Sequence, residues 1–137
     1  MPTATLTPEL FWMVLTVLMT GLMWVPYILN RLREQGAGKA LWDPHGNTVT
    51  EVAWAQRMMH AHQNAVENLV IFTPLVLALH SLGISNAVTA TACAVYFFAR
   101  ATHYLVFSFG VPMLRIPAFA VGVGAQLTLA LVLLGLR

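Results

Sequence analysis

The sequence predicts an all-α integral membrane protein: a single domain, residues 1–137, folded as an up-down bundle of four helices. Composition is the first observation, because 58% of the residues are hydrophobic and only 9% are charged, against about 25% charged in soluble domains. The second is a set of three runs without Asp, Glu, Lys or Arg, each at least as long as one bilayer crossing requires. An ordinary water-soluble globule is therefore excluded.

The first uncharged run, Leu10 to Asn30, predicts helix one over about residues 8–30. Two arginines and then several glycines, the first of them Gly36, follow this run. Because glycine and proline interrupt regular structure, residues of about 31–48 are predicted to form a long loop.

The middle uncharged run, Leu69 to Ala99, is too long for one membrane crossing. Its segment SLGISN is a turn signal, so two helices are expected, the later one over about residues 86–109. The earlier helix extends backwards through residues 53–67 without Gly or Pro. Thr48 and Glu51 have the spacing of a capping box, which predicts helix two over about residues 49–81.

The third uncharged run, Ile116 to Leu136, predicts helix four over about residues 114–136. The segment GVPMLR before it predicts a tight connection from helix three.

Basic residues set the expected orientation in the membrane. One side holds Arg31, Arg33, Lys39 and Arg115, in the first and third loops, whereas the other holds Arg137. The positive-inside rule then places these two loops in the cytoplasm and both termini on the opposite side.

Charge and cysteine content narrow the partners. The net charge is +2, and the basic residues form no Lys/Arg run, so no nucleic-acid partner is predicted. The single cysteine, Cys93, lies in an apolar segment and is expected to serve packing. No set of histidines and carboxylates has the spacing of a zinc site, so no metal is predicted.

Polar residues inside the predicted membrane helices form two stripes. They are Arg57, His60, Asn64, Glu67 and Asn68 on helix two, and Tyr96, Arg100, His103 and Phe107, with Tyr104 beside them, on helix three. Their spacing places each set on one helix face. Because an ionised group at the bilayer centre costs at least about 2.5–3.5 kcal/mol, the stripes are expected to face each other across a cavity open to the cytoplasm. Its positive charge favours an anionic, water-soluble ligand.

The same residues also have structural interpretations. Glu67 and Arg100 are expected to form a buried ion pair, which would fix the register of the two helices. His60, Asn64 and Asn68 fit hydrogen bonding between helices. A further alternative is haem ligation by His60 and His103, which the polar residues flanking both histidines disfavour.

Three segments carry a family resemblance: RMMHAHQNAVEN in helix two, FFARATHYLVF in helix three and PMLRIPAF at the start of helix four. Together they are similar to the MAPEG family, the membrane-associated proteins of eicosanoid and glutathione metabolism, in a bacterial-type member. The resemblance covers nearly the whole chain, including the segment Arg31 to Arg33 just after helix one.

The resemblance implies a homotrimer in the membrane, expected to be the bacterial inner membrane, with glutathione bound as co-substrate between neighbouring subunits at the cytoplasmic side. It assigns Arg115 to stabilising the glutathione thiolate. It places Arg31, His60, Gln63, Asn64, Glu67 and His103 around the tripeptide, with Arg100 paired to Glu67. Tyr104 is expected to offer a hydroxyl nearby, at an angle on the helix about 60° from that of Phe107. Two departures stand out, since Phe107 replaces a tyrosine and His60 an arginine found in several members.

The leading functional hypothesis is a glutathione-dependent transferase or peroxidase that detoxifies lipophilic electrophiles or lipid hydroperoxides. Catalysis would be nucleophilic, by the thiolate, without a metal. The alternatives are a non-catalytic lipid-binding or scaffold protein of the same fold and a small haem or redox membrane protein. The sequence leaves open the electrophile, the choice between conjugation, reduction and isomerisation, and the identity of the physiological thiol.

Overall fold

The computed structural model describes residues 4–46 and 49–136, and these residues form helices without any strand. The helices are α1 (Pro8–Leu22), α2 (Trp24–Gln35), α3 (Ala37–Leu41), α4 (Ala53–Ser81), α5 (Ala87–Ser108) and α6 (Pro112–Leu133). The all-α prediction is confirmed.

Predicted helix one is longer than expected and is broken in two. The side chain of Thr7 caps α1 by accepting from the Leu10 amide, and α1 and α2 meet at Met23. The predicted end at Asn30 was the last residue of the uncharged run. The helix continues to Gln35 because the charged residues after Asn30 also favour helices. Gly36, at φ +81°, ends α2. The predicted loop therefore contains the end of α2 and all of α3.

The start predicted for helix two, near residue 49, is wrong, because α4 begins at Ala53. Val52 precedes α4 without a side-chain cap. Thr48, half of the predicted capping box, lies outside the described residues. Thr50, two residues further along, donates its hydroxyl to Glu34 in α2. The segment before α4 therefore contacts α2.

The remaining boundaries lie close to the predicted ones. Asn86 and Thr89 form a capping box at the start of α5. Gly110, at φ +74°, allows the tight reversal into α6. The last helix begins two residues before and ends three residues before the predicted limits.

The buried core lies where α4, α5 and α6 meet. Its residues are Phe72, Val76, Leu79, Ala92, Cys93, Tyr96, Ala125 and Leu129. The rings of Phe72 and Tyr96 stack with centroids 3.9 Å apart. Cys93 is fully buried, which agrees with its predicted packing role.

Among the described residues, three stretches are long and apolar enough to cross a membrane: 8–35, 53–81 and 112–133. The predicted third membrane helix, α5, is not one of them, and its sequence includes Arg100 and His103. Large apolar side chains such as Val70 and Ile116 remain about two-thirds exposed. This apolar exterior suits lipid contact, while four membrane crossings and the up-down orientation stay predictions.

Candidate functional site

Arg100 on α5 is the largest fully buried side chain described, with 2% of its surface exposed. Its Nη2 donates to Oδ1 of Asn64 on α4 at 2.6 Å and lies 3.5 Å from Nδ1 of His103. Gly122 on α6 lies beside this side chain, and a Cβ there would make an ordinary van der Waals contact, 3.6 Å from Arg100 Cδ. The structure therefore brings together three of the predicted polar residues.

The predicted ion pair between Glu67 and Arg100 is not formed within the chain. Glu67 is exposed and accepts a hydrogen bond from Gln63 at 3.2 Å. Three residues along a helix turn a side chain by about 60°, so Glu67 points away from the face on which Asn64 meets Arg100. Between described residues, the salt bridge that does form joins Arg31 and Asp43 at 2.6 Å.

Two further side-chain amides form hydrogen bonds beside this contact, and one of them joins α4 to α6. The Asn68 amide donates to the carbonyl oxygen of Asn64 at 2.9 Å, and the Gln126 amide donates to that of Asn68 at 3.1 Å. The Asn68 side chain thus bonds within α4, not between helices as predicted, and the link from α6 is made by Gln126 to the Asn68 backbone. Gln126 was missed, and its signal was a lone amide within an apolar run.

Arg115, in the first turn of α6, is exposed. Its guanidinium lies 4.9 Å from the ring centroid of Phe107, a cation–π contact. Arg57, Phe107, Gly110 and Arg115 all line a cavity of about 200 Å³. The Phe107 ring also lies 5.7 Å from that of His103. We call the connected residues Asn64, Arg100, His103, Phe107 and Arg115 the α4–α6 cluster.

Other predicted residues line a separate cleft of about 750 Å³ between α2 and α4. Its polar lining includes Tyr27, Thr50, Gln56, His60, His62, Gln63 and Glu67. The Tyr27 hydroxyl is hydrogen-bonded to Nδ1 of His62 at 2.7 Å. We call this the α2–α4 cleft. Because His60 lines the cleft and His103 lies in the cluster, the geometry does not support a haem held by both within one chain.

Two predicted site residues lie in neither group. Arg31 is engaged by Asp43 from the segment after α3. The hydroxyl of Tyr104 donates to the carbonyl oxygen of Met23 at 2.9 Å, at the junction of α1 and α2. Within the chain, the Tyr104 hydroxyl therefore supports the break in the first helix.

Sequence reasoning missed a buried carboxylate at the opposite end of the molecule. Glu9 is 2% exposed and accepts from the hydroxyls of Ser85, at 2.9 Å, and Thr89. The signal was an acidic residue in the first turn of α1. No group of three or more His, Cys, Asp or Glu in the described part of the chain is placed to hold a metal ion.

The model of the MAPEG family matches residues 10–135. No curated protein and no solved structure matches the chain significantly. The family match and the three apolar stretches indicate an integral membrane protein. Since the match spans nearly the whole sequence, the chain belongs to the MAPEG family.

Proposed function

We propose that this protein is a membrane-bound, glutathione-dependent transferase or peroxidase in which Arg115 stabilises the thiolate. One observation carries the proposal: an exposed arginine in the first turn of α6 lines a cavity that a second arginine, Arg57, also lines. Membership of the MAPEG family is consistent with this activity.

Arg115 would act on the ionisation of the glutathione thiol. A free thiol has a pKa of about 8.5 and is only a few per cent ionised at pH 7. An always-charged guanidinium nearby favours the anion. The amino-terminal end of α6, a helix of 22 residues, adds the positive end of its dipole. Arg115 thus has the chemistry and the location to lower the pKa of a bound thiol.

The remaining charges suit the rest of a tripeptide such as glutathione. Its carboxylates would be attracted by the positive charge at the cavity that Arg115 lines, and its ammonium by the exposed carboxylate of Glu67. Asn64 and Gln63 offer amides for its peptide groups. These complementary charges support glutathione as the co-substrate.

In conjugation, the thiolate sulfur uses a lone pair to attack an electrophilic carbon, and the leaving group departs with its bonding electrons. With a lipid hydroperoxide, the sulfur attacks the terminal oxygen and the O–O bond breaks. The alkoxide then takes a proton to become an alcohol. A second glutathione converts the resulting sulfenic acid to a disulfide and water. The apolar exterior would deliver either substrate from the lipid.

A neighbouring chain would complete the site. His60, Gln63 and Glu67 are exposed on α4, a helix long and apolar enough to span the membrane, and an ionised group facing lipid is costly. In the proposed homotrimer, the α2–α4 cleft of one subunit would face the α4–α6 cluster of the next. Assembly would cover the polar face of α4 and place all these residues around one ligand.

The test is a pH titration that follows the ultraviolet absorbance of the thiolate while glutathione is kept at a saturating concentration. In the wild type the pKa of the thiol should fall by about 2 units, to a value suited to pH 7. In Arg115→Ala it should return towards the value in water, while Arg33→Ala, an exposed control on α2, should behave as wild type. An Arg115→Ala variant with a lowered thiol pKa and full turnover would refute the mechanism.

The second candidate is a non-catalytic lipid-binding protein, and the position of Phe107 favours it. This ring contacts Arg115 but offers no hydroxyl to a reacting sulfur. Turnover of an aryl halide and of a lipid hydroperoxide separates the candidates. Glutathione binding without either turnover would support the second.

A further inference from the structure

We infer that Arg57 is a positioning residue for Arg115, acting through the turn between α5 and α6. The side chain of Arg57 extends from α4 to this turn, where its Nε donates to the carbonyl oxygen of Ser108 at 3.0 Å. Its guanidinium packs against Gly110, because a Cβ on that glycine would lie 3.2 Å from Arg57 Cζ. This inference rests on the proposed function of Arg115.

The turn leaves little freedom between these contacts and Arg115. Ser108 ends α5 and Pro112 begins α6, so three residues connect the helices. The last carbonyls of a helix lack partners within it, and Arg57 satisfies that of Ser108. Gly110 adopts a positive φ that other residues rarely adopt. Arg115 lies in the first turn of α6, directly after this connection. Its position relative to α4 is therefore fixed through Arg57.

Electrostatics alone would oppose this arrangement. Arg57 and Arg115 line the same cavity of about 200 Å³, and like charges repel each other. A directed hydrogen bond and packing against Gly110 hold Arg57 at the cavity despite that repulsion. The pocket is therefore cationic before an anion binds, and the two arginine side chains do not have to reorient on binding.

A positioning role differs from a simple contribution of charge in its response to lysine. Lysine keeps the positive charge but lacks the planar guanidinium that bonds Ser108 while covering Gly110. Arg57→Lys and Arg57→Gln should therefore have similar effects if the role is positional. If charge alone matters, Arg57→Lys should resemble the wild type.

The first measurement needs no glutathione. Hydrogen exchange of the peptide covering residues 105–115, in the full-length protein in lipid nanodiscs, should be roughly tenfold faster in both Arg57 variants, the effect of losing one charge-assisted hydrogen bond. Arg33→Gln should exchange as wild type. Unchanged exchange in both Arg57 variants would overturn the inference.

The second measurement is the thiolate titration. Both Arg57 variants should shift the thiol pKa towards its value in water, as Arg115→Ala does, and lower kcat more than they raise KM. A wild-type response of Arg57→Lys in this titration would overturn the positioning role. Failure of the wild type itself to lower the thiol pKa would refute the proposed function instead, and the exchange measurement would still decide whether Arg57 holds the turn.

Gly110→Ala provides an independent perturbation of the same contact. A methyl group there meets the guanidinium carbon of Arg57 and requires an unfavourable φ. Faster exchange over residues 105–115, with α4 exchange unchanged, is expected. Exchange equal to that of the wild type would contradict a tight contact between Arg57 and the turn.

Discussion

Arg100 on α5 and Asn64 on α4 are joined by a hydrogen bond of 2.6 Å in the protein interior. Arg100 is 2% exposed and its Nε has no hydrogen-bond partner in the described structure. Asn64 therefore supplies a main acceptor for a buried cation. The amide has the role that sequence reasoning assigned to the Glu67 carboxylate.

Replacing Asn64 with leucine should destabilise the protein by about 3 kcal/mol, because a buried guanidinium loses its acceptor. Thermal unfolding in detergent measures the change. In double-mutant cycles, Asn64 and Arg100 should couple by more than about 1 kcal/mol, while Glu67→Gln and Arg100→Gln should combine within about 0.5 kcal/mol of additivity. Equal coupling for both pairs would contradict the structure.

Tyr104→Phe should lower stability by about 1 kcal/mol, since the hydroxyl bonds the Met23 carbonyl at the break between α1 and α2. The thiol pKa of bound glutathione should not change. A combined melting and thiolate titration checks both statements. A shifted thiol pKa with an unchanged melting temperature would contradict this prediction and place the action of Tyr104 at the ligand.

Glu9→Ala should destabilise by about 2 kcal/mol, because the buried Thr89 hydroxyl and the Ser85 hydroxyl lose their acceptor. Glu51→Ala is the matched control, since that side chain is exposed, and should have no measurable effect. Urea-induced unfolding in mixed micelles would compare them. Similar curves for both variants would show that Glu9 contributes nothing to stability.

Assembly should give a particle of about three times the chain mass of 15.0 kDa. The physical reason is the exposed polar face of α4, which lipid cannot solvate. Light scattering with correction for detergent measures the protein mass. A monomer at high protein concentration would argue against a site shared between subunits.

The loop between α2 and α4 should be cytoplasmic, because basic residues favour that side. Lys39→Cys introduces an exposed thiol on α3, and the native Cys93 is fully buried and so gives little background labelling. A membrane-impermeant maleimide should label this variant only after the cells are permeabilised. Labelling of intact cells would reverse the predicted orientation.

The sequence by itself determined the helical class, the apolar runs and most turns. These features depend on local chemistry: uncharged segments of bilayer length, the turn signal that ends at Asn86, and the tight connection that begins at Gly110. The periodic spacing on α4 also identified Asn64 as facing other helices. Each of these properties depends on residues that are close together in the sequence, so it can be predicted without knowing the contacts between distant residues.

Only the tertiary structure decided which polar groups meet. Asn64 and Glu67 lie on the same predicted stripe, yet a rotation of about 60° gives Arg100 to the amide and leaves the carboxylate exposed. The contacts of Glu9 with Ser85 and Thr89, and of Arg57 with Ser108, join residues far apart in the chain. Such pairs depend on the rotation and depth of each helix against its neighbours, which residue spacing within one helix does not specify.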